Sequence, residues 1–297
     1  MKRNTITLVA LLAVLVVVAY LVMQKPGEQS SSGSGAALVH LDSVAVDRLE
    51  IKSAKSHVVL EKQGVDWFLR EPMTYKADPT AVANFIHEIK TLEVKNVVSD
   101  RPEKFEVFQV DTTSATRLTV YEHGTPTVNL LVGKIGSTYT EQYVRKLPSN
   151  DVDAVDVSMN YTVNRSANEW RDKGIVSVPK ENIKEIRYQY GDTTFTVAFQ
   201  DSAWMLGKDR IRTEDVTSVV NALSDFKADD FIDSTLHPTP KITGAISYGG
   251  VQLRFSFLKS QNKYAVQSSG SAQWFVVEAW KANPILKRKK DFVKIAK

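Results

Sequence analysis

Five histidines, His40, His57, His87, His123 and His237, stand far apart in a chain of 297 residues. No two are spaced as His-x-x-x-His, so the arrangement that lets two imidazoles on one helix face share a zinc ion is missing. His87 directly precedes Glu88, and adjacent helical side chains point apart. Carboxylates are denser in DFKADDFIDS, where Asp225, Asp229 and Asp233 recur every fourth residue. If a helix ran that far the three would share a face and could hold a divalent cation; the plainer reading is a solvated helix end. Asp151, Asp153 and Asp156 interleave with valines as in a strand with a polar outward face. They lack the Gly and closing Glu of a calcium loop. Ser53-Ala54-Lys55 misses the Ser-x-x-Lys spacing by one residue, and no Gly-x-Ser-x-Gly occurs. With no cysteine there is neither a thiolate ligand nor a thiol nucleophile. These residues assemble no catalytic centre, and no cofactor or metal is expected.

Whatever the chain does must therefore rest on its elements. At 43% apolar and 24% charged residues it falls in the globular class, with length enough for two modest domains. Lys2 and Arg3 precede an apolar stretch of 18 residues from Ile6 to Met23. As a helix this would cover about 27 Å of a hydrocarbon core about 30 Å thick. A cleavable signal peptide is the rival, but the one small-x-small site, Val17-Val18-Ala19, lies inside the apolar run. The stretch reads as an uncleaved anchor at residues 5–24, with residues 1–4 on the cytoplasmic side and a Gly/Ser-rich tether at 25–37.

Beyond the tether the chain writes one pattern twice. In the first copy, Leu49 and Ile51, Val58 and Leu60, then Trp67 and Leu69 mark three short strands. Asp78 can cap a helix that opens with Pro79 and carries the stripe Val82, Phe85, Ile86, Ile89 and Leu92. Strand patterns resume to about residue 157, and a second short helix is expected over Met159–Lys173. In the second copy Ile186, Phe195, Val197 and Trp204 take the places of Ile51, Val58, Leu60 and Trp67, and Thr213 can cap a helix with the stripe Val216, Val219, Val220, Leu223 and Phe226. The fold expected is α+β: one N-terminal transmembrane helix, then two related domains at 38–178 and 179–297, each a mostly antiparallel sheet packed against one or two helices. Trp67, Tyr75, Asp78, Trp204 and Thr213 are the structural anchors of this repeat.

The order strand, strand, Trp-x-Leu, Tyr-x-Ala-Asp, helix, followed by LLVGK, QYVR and EWRDK, resembles the bacterial envelope family of domain of unknown function 4340. Trp67, Tyr75, Ala77, Asp78, Gly133, Tyr143, Val144, Arg145, Arg171, Asp172 and Lys173 stand at its motif positions, and the likeness runs over roughly residues 45–297. The second copy departs from it, with Ile211-Arg212-Thr213-Glu214 in place of the Tyr-x-Ala-Asp box and KYAVQ in place of QYVRK. The resemblance implies a single-pass protein of the bacterial cytoplasmic membrane whose body lies outside the cytoplasm. It also implies a setting beside subunits of a transporter of the ATP-binding-cassette type, and no catalytic residue.

Charge is concentrated at one end. Residues 281–297 hold seven Lys or Arg against Asp291 alone, in a chain whose net charge is +4. Lys287, Arg288, Lys289, Lys290 and Lys294 could face anionic lipid or an acidic partner. Alternatively they coat a last helix that packs through Trp280, Ile285, Leu286 and Phe292. Nucleic acid is not expected, because the run lacks interleaved stacking aromatics. The function expected is that of a non-catalytic, membrane-tethered binding or scaffold component. Its partners would be membrane lipid through residues 5–24 and an envelope protein such as a transporter subunit. The alternative is a small-ligand or glycan site, possibly hydrolytic, in a cleft between the domains lined by Trp67 and Trp204.

Overall fold

The computed structural model describes residues 35–137, 139–156, 159–233 and 240–293. The chain divides into two compact units, residues 1–167 and 168–297.

In the first unit, β1 (Ala36–Ala37), β2 (Val46–Lys52), β3 (His57–Gln63), β4 (Asp66–Glu71) and β5 (Tyr75–Lys76) precede helix α1 (Pro79–Lys90). After it come β6 (Glu93–Ser99), β7 (Thr116–Glu122), β8 (Thr125–Ile135), β9 (Gln142–Lys146) and β10 (Val152–Val155). All ten join one antiparallel sheet in the order β1-β6-β10-β9-β8-β7-β2-β3-β4-β5. Alternation sends Leu49, Ile51, Leu60, Leu69, Leu118 and Leu130 to one buried face. The Val82, Phe85, Ile86 and Ile89 stripe of α1 is buried as well, and the helix lies against β4. Each such side chain removed from water contributes about 2 kcal/mol. Asp78 caps α1 by accepting hydrogen bonds from the backbone N–H groups of Thr80 at 2.8 Å and Ala81 at 3.2 Å.

The second unit opens with β11 (Gly174–Ser177), β12 (Glu185–Tyr190), β13 (Thr193–Gln200), β14 (Ala203–Leu206) and β15 (Asp209–Arg210). Helix α2 (Thr213–Ser224) follows, then β16 (Asp225–Lys227), β17 (Asp230–Ile232), β18 (Gly244–Tyr248), β19 (Val251–Leu258), β20 (Lys263–Ser268) and β21 (Trp274–Glu278). Its main sheet has the order β15-β14-β13-β12-β18-β19-β20-β21-β17, and β11 pairs with β16 in a small sheet of its own. Taken separately, each main sheet threads the chain alike: four strands run outward, a twelve-residue helix follows, one strand lands at the far side, and four more strands return to meet it.

Strands dominate both units, which corrects the expected α+β class: the described residues form three antiparallel sheets, with helix confined to α1, α2 and short turns. No helix among the described residues is long and apolar enough to cross a membrane. The stretch 5–24 that was expected to do so lies outside the described residues, as does most of the tether. The helix expected over Met159–Lys173 is only the single turns Asn160–Val163 and Ala167–Trp170. Asn164 ends the first by turning its amide back onto the Asn160 carbonyl, at 2.8 Å, a local bond that competes with helix propagation.

The register also corrects the residue pairing expected between the two units. Ile186 lies opposite Val197 as Leu49 lies opposite Leu60, so Tyr188, opposite Phe195, holds the place of Ile51. The cap of α2 falls on Arg212, with Thr213 as the first helical residue and exposed to solvent. Replacing Asp78 by Ala is expected to cost about 1 kcal/mol in urea unfolding. Thr213→Ala, which removes no capping bond, should stay within about 0.5 kcal/mol of the parent.

Candidate functional site

The repeat anchors occupy folding positions. Trp67 and Trp204 are each 8% exposed. Each closes the turn into its helix through its backbone carbonyl, which accepts from Ala77 N–H at 2.8 Å in one unit and Ile211 N–H at 3.0 Å in the other. Tyr75 sits on β5 opposite Leu69. The acidic row is dispersed because α2 stops at Ser224 and the chain turns extended at Asp225. Asp225 then faces Lys227 at 3.4 Å, Asp229 pairs with Lys281, and Asp233 accepts from Arg171 at 2.7 Å. Each carboxylate meets its own cation, and no group of three metal-ligating side chains occurs among the described residues.

The motif positions of the first unit converge on the irregular segment Phe105–Val110. Gly133 on β8 passes so close beneath it that a Cβ there would lie 2.3 Å from the Phe108 carbonyl oxygen. The Tyr143 ring meets Phe108 edge-on at 4.8 Å. Arg145, 7% exposed, lays its guanidinium 4.0 Å from the Phe105 ring centroid and donates to the Val110 carbonyl at 3.1 Å and the Ser149 carbonyl at 3.3 Å. Within the second unit, Arg171 is 2% exposed, lies 3.6 Å from the Phe231 centroid, and donates to Asn168 at 2.9 Å besides Asp233. Asp172 and Lys173 accept from the backbone of Gly174 and Ala228. Arg145 and Arg171 each clamp an irregular stretch in place, while Asp172 only closes a local turn.

A different arrangement stands out in the C-terminal part of the second unit. Ile285 and Phe292 are buried, Phe292 within an aromatic cluster with Tyr188 and Phe195. The chain beyond is pinned to α2, since Arg212 N–H donates to the Val293 carbonyl at 3.1 Å and Val293 N–H to Asp215 Oδ2 at 3.0 Å. Between these points Arg288, Lys289 and Lys290 are exposed and Lys287 is half-buried; Lys294 lies outside the described residues. Trp280, expected to pack, is 69% exposed instead. Arg288 lies flat over Tyr190, 3.5 Å from its centroid, while the Tyr190 hydroxyl donates to the Lys287 carbonyl at 2.9 Å. Burial holds the Tyr190 phenol above its ordinary range, although Arg288 opposes the shift. Beside this stack opens a hollow of about 430 Å³, with Phe257, Tyr264, Asn283 and Leu286 in its walls. Lys289 borders another of about 510 Å³. A larger hollow, about 640 Å³, lies over the polar face of β12 between Glu185, Arg187 and the Gly249–Gly250 turn.

Two features were not legible as sites. His57 Nε2 lies 2.9 Å from Glu50, which also meets Arg48 at 3.3 Å and the Tyr121 hydroxyl at 3.3 Å. Arg48 and Arg70 reach Glu61 in turn. Burial raises the Glu50 pKa, but the His57 hydrogen bond and the Arg48 charge outweigh it and hold the carboxyl below its usual range. The ladder is a set of cross-strand pairs. The second feature is Asp153. All of β10 is buried, which corrects the expected polar outward face: β10 lies between β9 and β6, and Asp153 is 5% exposed. Its Oδ1 has no hydrogen-bond partner among the described residues. Burial above all, then the neighbouring Asp151, pushes its pKa up to about 6 against a partial offset from Lys146.

Fold and clamps together define a two-unit antiparallel β-sheet protein whose motif residues fasten loops to sheets. Residues 67–242 match the family model described as Domain of unknown function (DUF4340), and the chain belongs to that family. No curated protein and no solved structure matches it.

Asp153 gives a pH dependence. Between pH 3.8, its unperturbed value, and about 6, the folded chain keeps a proton that the unfolded chain releases. Stability therefore falls as pH rises through that window, by about 3 kcal/mol in all. Asp153→Asn should flatten this slope and melt above the parent at pH 7 when melting temperature is followed against pH.

Proposed function

We propose that this protein is a non-catalytic binding or scaffold component, held at a membrane by the apolar run of residues 5–24 with its body outside the cytoplasm. Its working partner is a subunit of a transporter of the ATP-binding-cassette type. The two units are copies of one module, as their common strand order suggests.

The observation that carries the reading is the fixed basic strip. Burial of Ile285 and Phe292 on either side holds Arg288, Lys289 and Lys290 outward in one arrangement. Charges held in place give an interface its partner choice and its rate of encounter more than its raw affinity, and an acidic protein face is the complement. The transporter setting is what the resemblance of the motif order implies. The motif side chains Arg145 and Arg171 are occupied in holding loops, as suits a rigid platform.

The test is crosslinking and co-purification of the full chain from membranes in non-ionic detergent. A variant carrying Lys287→Glu, Lys289→Glu and Lys290→Glu should melt as the parent does, yet recover at least tenfold less of the transporter subunit. Parent binding should weaken with added salt. Recovery of the same partner by the charge-reversed chain, or of no transporter subunit by the parent, overturns the proposal.

A further inference from the structure

The hollow beside Arg288 has the make-up of a small-ligand site. At about 430 Å³ it falls within the range of about 300–1,000 Å³ usual for such pockets, and the rings of Tyr190, Phe257 and Tyr264 form part of its walls. Arg288 forms no ion pair among the described residues. Its guanidinium is held flat on Tyr190, which leaves the planar fork of N–H donors pre-set for a carboxylate or phosphate. Tyr190 is fixed in turn by its bond to the Lys287 carbonyl and by Gly244, where a Cβ would lie 2.7 Å from Tyr190 Cε1. Opposite, the Tyr264 hydroxyl donates to Asn283 Oδ1 at 2.9 Å, so the amide presents its N–H groups for another acceptor. Phe257, 40% exposed and 5.0 Å from the Tyr264 ring, supplies an open aromatic face.

We infer that this hollow binds a small organic oxyanion: a carboxylate or phosphate carried on a flat ring, the anion on Arg288 and Asn283, the ring against Phe257 and Tyr264. The 640 Å³ hollow over β12 is a weaker choice for an anion, because the Glu185 carboxylate is part of its lining, whereas no carboxylate lines the hollow beside Arg288. The site is separable from the strip's protein partner, since Lys287, Lys289 and Lys290 do not line it.

The experiment is calorimetric titration of the full chain in non-ionic detergent with phenyl phosphate, benzoate and inorganic phosphate. The ring-bearing anions should bind at least tenfold more tightly than inorganic phosphate. Arg288→Lys, which keeps the charge but loses the fork and the stack, should weaken them at least tenfold. Gly244→Ala should weaken them through displacement of Tyr190, and Phe257→Ala should bring their affinity down to that of inorganic phosphate. Lys287→Glu with Lys289→Glu and Lys290→Glu, which reverses three charges close to the site, should weaken all three anions together but leave the preference for phenyl phosphate over inorganic phosphate within about threefold of the parent's, and this separates the site from the proposed protein interface. Absence of saturable binding, equal binding of inorganic phosphate, or parent-like affinity in Arg288→Lys with an unchanged melting temperature overturns the inference.

Discussion

A guanidinium laid on an aromatic ring is the interaction on which the irregular parts of this protein depend. Arg145 covers Phe105 and Arg171 covers Phe231, and both are almost fully buried. A buried cation left without acceptors would cost several kcal/mol. Here the acceptors are the Val110 and Ser149 carbonyls in one unit and the Asn168 and Asp233 side chains in the other. Satisfying the charge therefore dictates where the 105–110 and 228–233 segments lie. Loss of either acceptor set would free a loop and strand a charge together.

Arg288 repeats the stack on Tyr190 but stands at the surface. Of the tight stacks among the described residues, within 4.0 Å of a ring centroid, those of Arg145 and Arg171 turn inward and serve the fold, while that of Arg288 turns outward and keeps its donors available. The distinction between scaffold and recognition surface here is one of burial, since the chemistry is shared. It also explains why family motif residues were a poor guide to a site. They mark the inward clamps, whereas Tyr190, Asn283 and Arg288 lie in stretches that look like an ordinary strand end and a basic tail.

Much of the architecture was legible because strand periodicity is local. The strands marked by Leu49 and Ile51, Val58 and Leu60, and Trp67 and Leu69, the stripes of α1 and of α2 as far as Leu223, and the Asp78 cap all follow from neighbours within a few residues. What failed needed distant information. Asp225, Asp229 and Asp233 share a face only if α2 continues, and it stops because Phe226 is drawn into the pairing of β16 with β11. The two-residue slip that set Ile186 against Ile51 came from matching residue types, when cross-strand register decides equivalence. Asp153 looked outward because alternation shows that two faces differ, and not that both are covered. His57 and Glu50 meet across a hairpin whose register no spacing rule reveals.

The strand order carries a consequence for how the chain comes together. In each main sheet the first strand contributed after the helix lands beside the last strand of that sheet: β6 against β10, and β17, which follows the separate β16, against β21. During synthesis that strand emerges with its main neighbour still unmade, and it must wait while four further strands are added one hairpin at a time. Closing so distant a contact is slow relative to forming local pairs. A chain interrupted before Trp274 would carry β17 with an open edge, a ready template for joining another copy. Residues 274–278 thus act as the latch of the second unit, and the buried Ile285 and Phe292 that follow shut it.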